Sequence, residues 1–275
     1  MFAYRLIAPV AILAAIAAGL AIYLNEHRYG YVMAVLLAIC AAIYFLSGEI
    51  NWWYYSRNPL PMPEGLRPIL AKGIPFYQQL SPEEKKRFEH RTMLFRMGTD
   101  WTPTGWGEDA ETLPPDVEVA LAAQAVTLTF KDDNILLEPF EKVIVYPRAF
   151  PTPDYQYAHA SELYVPDSCL LFSAETLMLA IAQPGQWYNI GLHEYAKVWL
   201  LRYPERRLPD FPDTPETWAT LQEISSMPRT HIESVIGLKE PVSPVPVALH
   251  HFFMFREKFV SAFPEASAVF KQYFI

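Results

Sequence analysis

The chain has 275 residues, 52% of them hydrophobic and 15% aromatic, with a formal net charge of −8 at pH 7. That suffices for one globular domain of ordinary size plus an apolar surplus. The acidic balance argues against a nucleic-acid surface, because the only dense basic stretch is the mixed run Glu83-Glu84-Lys85-Lys86-Arg87, which reads as one solvated helical face.

The surplus lies at the N-terminus. Leu6 to Leu24 carries no charge and follows Arg5, and Gly30 to Gly48 is a second uncharged run that ends before Glu49. Each is long enough to cross a hydrocarbon core of about 30 Å at about 1.5 Å per residue. Ala17, Ala18 and Ala21 would also suit a cleaved leader, but the second run begins only five residues after the first, which favours a helical hairpin with spans at about 6–24 and 30–48. Trp52, Trp53, Tyr54 and Tyr55 then read as an interfacial aromatic belt flanked by Arg57. Arg5, Arg57, Arg67 and Lys72 outnumber Arg28 in the hairpin turn, so both ends are expected on the cytoplasmic side of an inner (cytoplasmic) membrane, multi-pass. Cys40 falls inside a span and Cys169 outside it, so no disulfide is expected.

Residues 1–56 are therefore expected to form a transmembrane hairpin, 57–73 a proline-rich connector, and 74–275 a soluble domain. In that domain Ser81, Pro82 and Glu84 form the start of a helix with a capping box. A loop with Gly98, Pro103, Gly105 and Gly107 follows, and Pro114-Pro115-Asp116 opens a second helix through VEVALAAQAVTL. Lys142 to Pro147 is a β-branched strand, with weaker strands at Glu162 to Val165 and Cys169 to Phe172. Ser173 caps a helix broken by Pro184-Gly185, the next helix ends by Tyr203-Pro204, and Thr214-Pro215-Glu216 opens another. Two more are expected, at about Val247 to Phe263 and Pro264 to Tyr273, the first with an aromatic face that reads as core. The fold class is α+β with helices dominant.

Residues 193–197 read His-Glu-Tyr-Ala-Lys. H-E-x-x-H on a helix sets two imidazoles one turn apart on one metal while the glutamate polarises a water; here the second histidine is Lys197. A lysine ammonium repels a metal, so the simplest reading is that Lys197 supplies the positive charge itself and pairs with Glu194 or another carboxylate. HExxK alone is a short pattern that chance can produce. His159, His231, His250 and His251 are further histidines, each more often a hydrogen-bonded or surface group than a ligand.

Several stretches in order carry a resemblance: LAAQAVTLTF at 121–130, VIVYPRAF at 143–150, NIGLHEYAK at 189–197 and FFMFREKFVSAFPEASAVFKQYF at 252–274. Together they resemble the Mlc titration factor A family, zinc-dependent peptidases of gluzincin type, over roughly residues 65 to 275. The resemblance implies a zincin-like soluble domain and a zinc cofactor. It sets His193 at the first zinc histidine, Glu194 at the catalytic general base and Lys197 at the second zinc histidine. The third ligand position, seven before the glutamate of a Ser-Glu pair that here reads Arg256-Glu257, falls on His250. Two of three ligand positions thus differ, and the acidic segment that usually follows the zinc helix reads VWLLRYPERRLPDFPD.

Three functions are compatible with this sequence. The first is a membrane-anchored, peptidase-like pseudoenzyme, a non-catalytic accessory or binding subunit with membrane lipid and a membrane-protein partner as its contacts. The second is an active zinc metallopeptidase with an altered ligand set of His193, His250 and a further group, for which His251 and Glu257 are nearest in sequence. The third is a purely structural membrane subunit. The first accounts best for Lys197, the lost glutamate ligand and the added hairpin together.

Overall fold

The computed structural model describes residues 2–107 and 110–275, which divide into two compact units, 1–60 and 61–275. In the first, α1 (Phe2–Leu24) and α2 (His27–Phe45) pack along each other across a turn at Asn25, and α3 (Ser47–Arg57) follows. α1 buries only the small residues Ala3, Ala14 and Ala17, and α2 buries none. Both are long and apolar enough to cross a membrane, although their limits differ from those expected. The second helix ends at Phe45 because the backbone leaves helical geometry at Leu46, and the aromatic quartet rides on α3. The Ala3 amide donates to Asn51 Oδ1 at 2.9 Å and Phe2 stacks on Tyr54, tying the start of α1 to α3.

The second unit is α+β with helices dominant. α4 (Arg67–Gly73) and α5 (Pro75–Gln78) lead into α6 (Pro82–Gly98), whose reciprocal capping box joins Ser81 and Glu84. Among the described residues four strands form a mixed sheet in the order β1-β2-β4-β3: β1 (Asp100–Pro103), β2 (Lys142–Tyr146), β3 (Ser161–Tyr164) and β4 (Cys169–Ser173). β1, β2 and β4 run parallel, and β3 pairs antiparallel with β4. β1 lies in the stretch expected to be a loop. None of its four residues is buried, and backbone pairing with β2 rather than side-chain burial makes it a strand.

α7 (Pro115–Thr129) lies between β1 and β2 in the chain and is buried from Val117 to Thr129. α8 (Ala174–Ala182) follows β4 from its Ser173 cap, and α9 (Ile190–Arg202) carries the HEYAK sequence. Then come α10 (Pro215–Ser225), α11 (Arg229–Ile236), α12 (Pro244–Met254), α13 (Arg256–Ala262) and α14 (Pro264–Phe274). The single helix expected over 247–263 is two, because Phe255 leaves helical geometry at φ −130 and ψ 49. His231 is an exposed residue of α11.

The sheet's two faces differ in environment. Val143, Val145, Leu170 and Phe172 are fully buried, and Phe172 meets Tyr195 of α9 with ring centroids 5.9 Å apart, which marks the helical face. Ile144, Tyr146, Glu162, Tyr164, Cys169 and Leu171 alternate with them and form the outer face. Fully burying each large apolar side chain contributes about 1.5–3 kcal/mol, which favours this register together with the backbone pairing.

Candidate functional site

α9 begins where Asn189 Oδ1 accepts the Leu192 amide at 3.0 Å. At Gly191 a Cβ would lie 3.0 Å from Leu177 and 3.1 Å from Gln124, so glycine lets α9 press against α7 and α8. From Ile190 to Trp199 every residue is buried except Lys197, whose side chain is 32% exposed. Glu194 is thereby held with no exposed surface, and its partners decide what it can do.

Both carboxylate oxygens of Glu194 are engaged. Ser161 Oγ on β3 donates to Oε1 at 2.9 Å, and Lys197 Nζ sits 2.7 Å from Oε2. Burial by itself would raise the Glu194 carboxyl, but Lys197, His193 and Ser161 together hold it below its ordinary value. It is therefore an ionised group neutralised by its own helix. Each oxygen thus meets one donor, a hydroxyl or a cation, and the side chain has no exposed surface on which a water could sit.

His193 Nδ1 is 2.6 Å from the Tyr188 hydroxyl, leaving Nε2 for the cleft beyond. Burial pulls its pKa from 6.5 down to about 4, with Glu194 opposing and Lys197 adding to the fall. Tyr188, buried and close to Glu194, is held well above the usual phenol range, so it stays a neutral hydroxyl. Tyr188 also stacks on His250, ring centroids 4.2 Å apart, which brings His193 and His250 to one place.

His250 is committed elsewhere, however. Its Nε2 accepts the Asn189 amide at 3.1 Å, and its Nδ1 is 3.1 Å from His251 Nδ1. Burial, then the neighbouring His251 and His193, push its pKa far down, so the ring is neutral. With Nε2 accepting, the one proton lies on Nδ1 and bonds to His251, and no lone pair remains for a metal. Burial lowers His251 to about 3, against the opposing Leu221 backbone.

A zinc site needs three convergent neutral or acidic donors. Lys197 occupies the i+4 position with a cation, His250 has both nitrogens in hydrogen bonds, and Glu257 is exposed on α13 instead of converging. Among the described residues no group of three His, Cys, Asp or Glu is placed to hold a metal. The residues present do not fit zinc in this arrangement. His159 is not part of it either: buried under β3, its Nε2 meets Glu162 Oε2 at 3.1 Å.

His193 and Lys197 form one wall of a cleft of about 260 Å³ whose other wall includes Leu238, Glu240, Val242 and Pro246. This strap is pinned at both ends. Gly237 closes α11 at φ +85, where a Cβ would lie 2.9 Å from the His159 Cα, and the Val242 amide donates to Glu233 Oε1 at 3.2 Å. Sequence reasoning found His193, Glu194, Lys197 and His250 but missed Tyr188, Ser161 and the strap. Nothing in their local sequence marks them, because each acts through a tertiary contact.

The profile of the glucose-regulated metallo-peptidase M90 family matches residues 50–198, more than half of the chain and all of the HEYAK helix up to Val198. An uncharacterized protein of Synechocystis sp. is 29% identical over 176 residues, which cover 60% of this chain. The chain spans 62% of that relative's length. With the resemblance to the Mlc titration factor A family agreeing, the chain belongs to the M90 family of glucose-regulated metallo-peptidases.

Proposed function

We propose that this protein is a membrane-anchored, zincin-like member of its family that has given up metal-dependent hydrolysis and serves as an accessory or binding subunit of a membrane assembly. The observation that carries the reading is the 2.7 Å ion pair between Lys197 Nζ and Glu194 Oε2 on one buried helix face. In that pair a covalently attached cation stands where a metal would, and the carboxylate that would activate water is occupied. The soluble domain then faces the cytoplasm, by the distribution of Arg5, Arg57, Arg67 and Lys72 against Arg28.

Family membership favours a second reading, an active peptidase with zinc as its cofactor, held on His193 Nε2 with ligands recruited by rearrangement. The two readings part on one experiment. Hydrolysis of a casein or peptide-library substrate is measured for the full chain in detergent, with and without added zinc, beside Glu194→Gln. The proposal expects no hydrolysis that the Gln variant removes. Zinc-dependent hydrolysis in the native chain that Glu194→Gln abolishes would overturn it.

A further inference from the structure

The outer face of the sheet, away from α9, holds a second pocket of about 280 Å³ that none of this chemistry uses. Its floor is Ile144 beside Leu171 in register, with Cys169, and its aromatic sides are Tyr146 and Tyr164. Phe150 stacks under Tyr146, centroids 4.1 Å apart, and stiffens that side.

The charged groups lining this apolar floor share one sign. Glu162 is 4% exposed and lines the pocket while His159 holds its Oε2 at 3.1 Å, and Asp154 and Asp167 stand exposed at the rim. The Tyr164 hydroxyl is pushed above its ordinary value by Asp154 first, then by burial and by Asp167, so both rim carboxylates act on the aromatic wall. Thr152, 9% exposed, also lines the pocket, and its Oγ1 has no hydrogen-bond partner among the described residues. Among the described residues no lysine, arginine or histidine lines it; Lys142, on the same face, is an exposed residue opposite Cys169.

We infer that this pocket binds the cationic side chain of a lysine or arginine presented by a peptide segment. The volume suits one long side chain and falls below the range of drug-sized ligand sites. The alkyl stem lies against Ile144 and Leu171, the tyrosine faces attract the cation, and the carboxylates pair with it. Thr152 Oγ1 supplies an acceptor for an N–H. The inference is independent of whether the α9 site holds a metal, since the two lie on opposite faces of the sheet.

Calorimetric titration of the full chain in detergent with Nα-acetyl-lysine N-methylamide, its arginine counterpart and its norleucine counterpart tests this. The cationic probes should bind saturably at least tenfold tighter than norleucine, and more weakly as salt rises. Asp154→Asn with Asp167→Asn should weaken them at least tenfold, with Thr152→Val as a second variant should the pair melt early. Absence of binding at millimolar probe, norleucine binding equally well, or undiminished binding in the variants would overturn the inference.

Discussion

The two faces of the small sheet treat charge in opposite ways. On the helical face Glu194 is wholly buried and balanced internally, by Lys197 and Ser161, and the three histidines nearby are held neutral. On the outer face Glu162 is held by His159, whereas Asp154 and Asp167 stand exposed around an apolar floor with no lysine or arginine among its described lining residues. A buried charge is tolerated only when paired, so the first face reads as chemically closed and the second as open to a partner.

Acid is the strongest way to break the closed face. His193 and His251 titrate in the fold at about 4 and about 3 against 6.5 in the unfolded chain, so the unfolded state binds more protons between those values. Folding stability should be intact above pH 6.5 and fall as pH drops below it, by roughly 3 kcal/mol for each ring by pH 4 at about 1.36 kcal/mol per pKa unit. Glu194, whose pKa is depressed, adds to the loss once pH falls below its ordinary 4.5. Denaturant unfolding between pH 7 and 4 measures this; a flat profile would mean the rings are not held neutral.

Removing the internal cation comes next. Lys197→Met should cost about 2–3 kcal/mol, less than the roughly 3–5 kcal/mol for a fully buried pair because Lys197 is 32% exposed. Glu194 would then titrate above its ordinary value, so the deficit should grow as pH rises, and adding Glu194→Gln should recover most of it. A double-mutant cycle in urea gives the coupling directly. A smaller loss, about 1.5–2 kcal/mol, is expected for Ser161→Ala, which removes one hydrogen bond to the same carboxylate. On the open face Asp154→Asn with Asp167→Asn should change stability by no more than about 0.5 kcal/mol, since both are exposed. Thermal melts of these variants rank the two faces.

Much of this contrast was legible in the sequence where local chemistry decides it. The Ser81–Glu84 box, the Ser173 cap, the helix start at Thr214, β2 and β4 follow from turn and propensity rules, and HEYAK implied that Lys197 pairs with Glu194 or another carboxylate, of which the fold selects Glu194. What depends on distant contact was not. β1 is a strand only through β2, the break at Phe255 leaves no mark in an aromatic run, and Ser161 reaches Glu194 across 33 residues of chain. His250 shows the same limit: the resemblance placed it at a ligand position, and only the Asn189 amide and His251 show that its nitrogens are taken.

Elemental analysis of the detergent-purified chain for zinc, after exposure to a molar excess of zinc and dialysis, tests the central claim most directly. With Lys197 neutralising Glu194 and both His250 nitrogens in hydrogen bonds, the account predicts far less than one zinc per chain. One tightly held zinc per chain, lost on His193→Gln in a variant that still melts cooperatively, would contradict it.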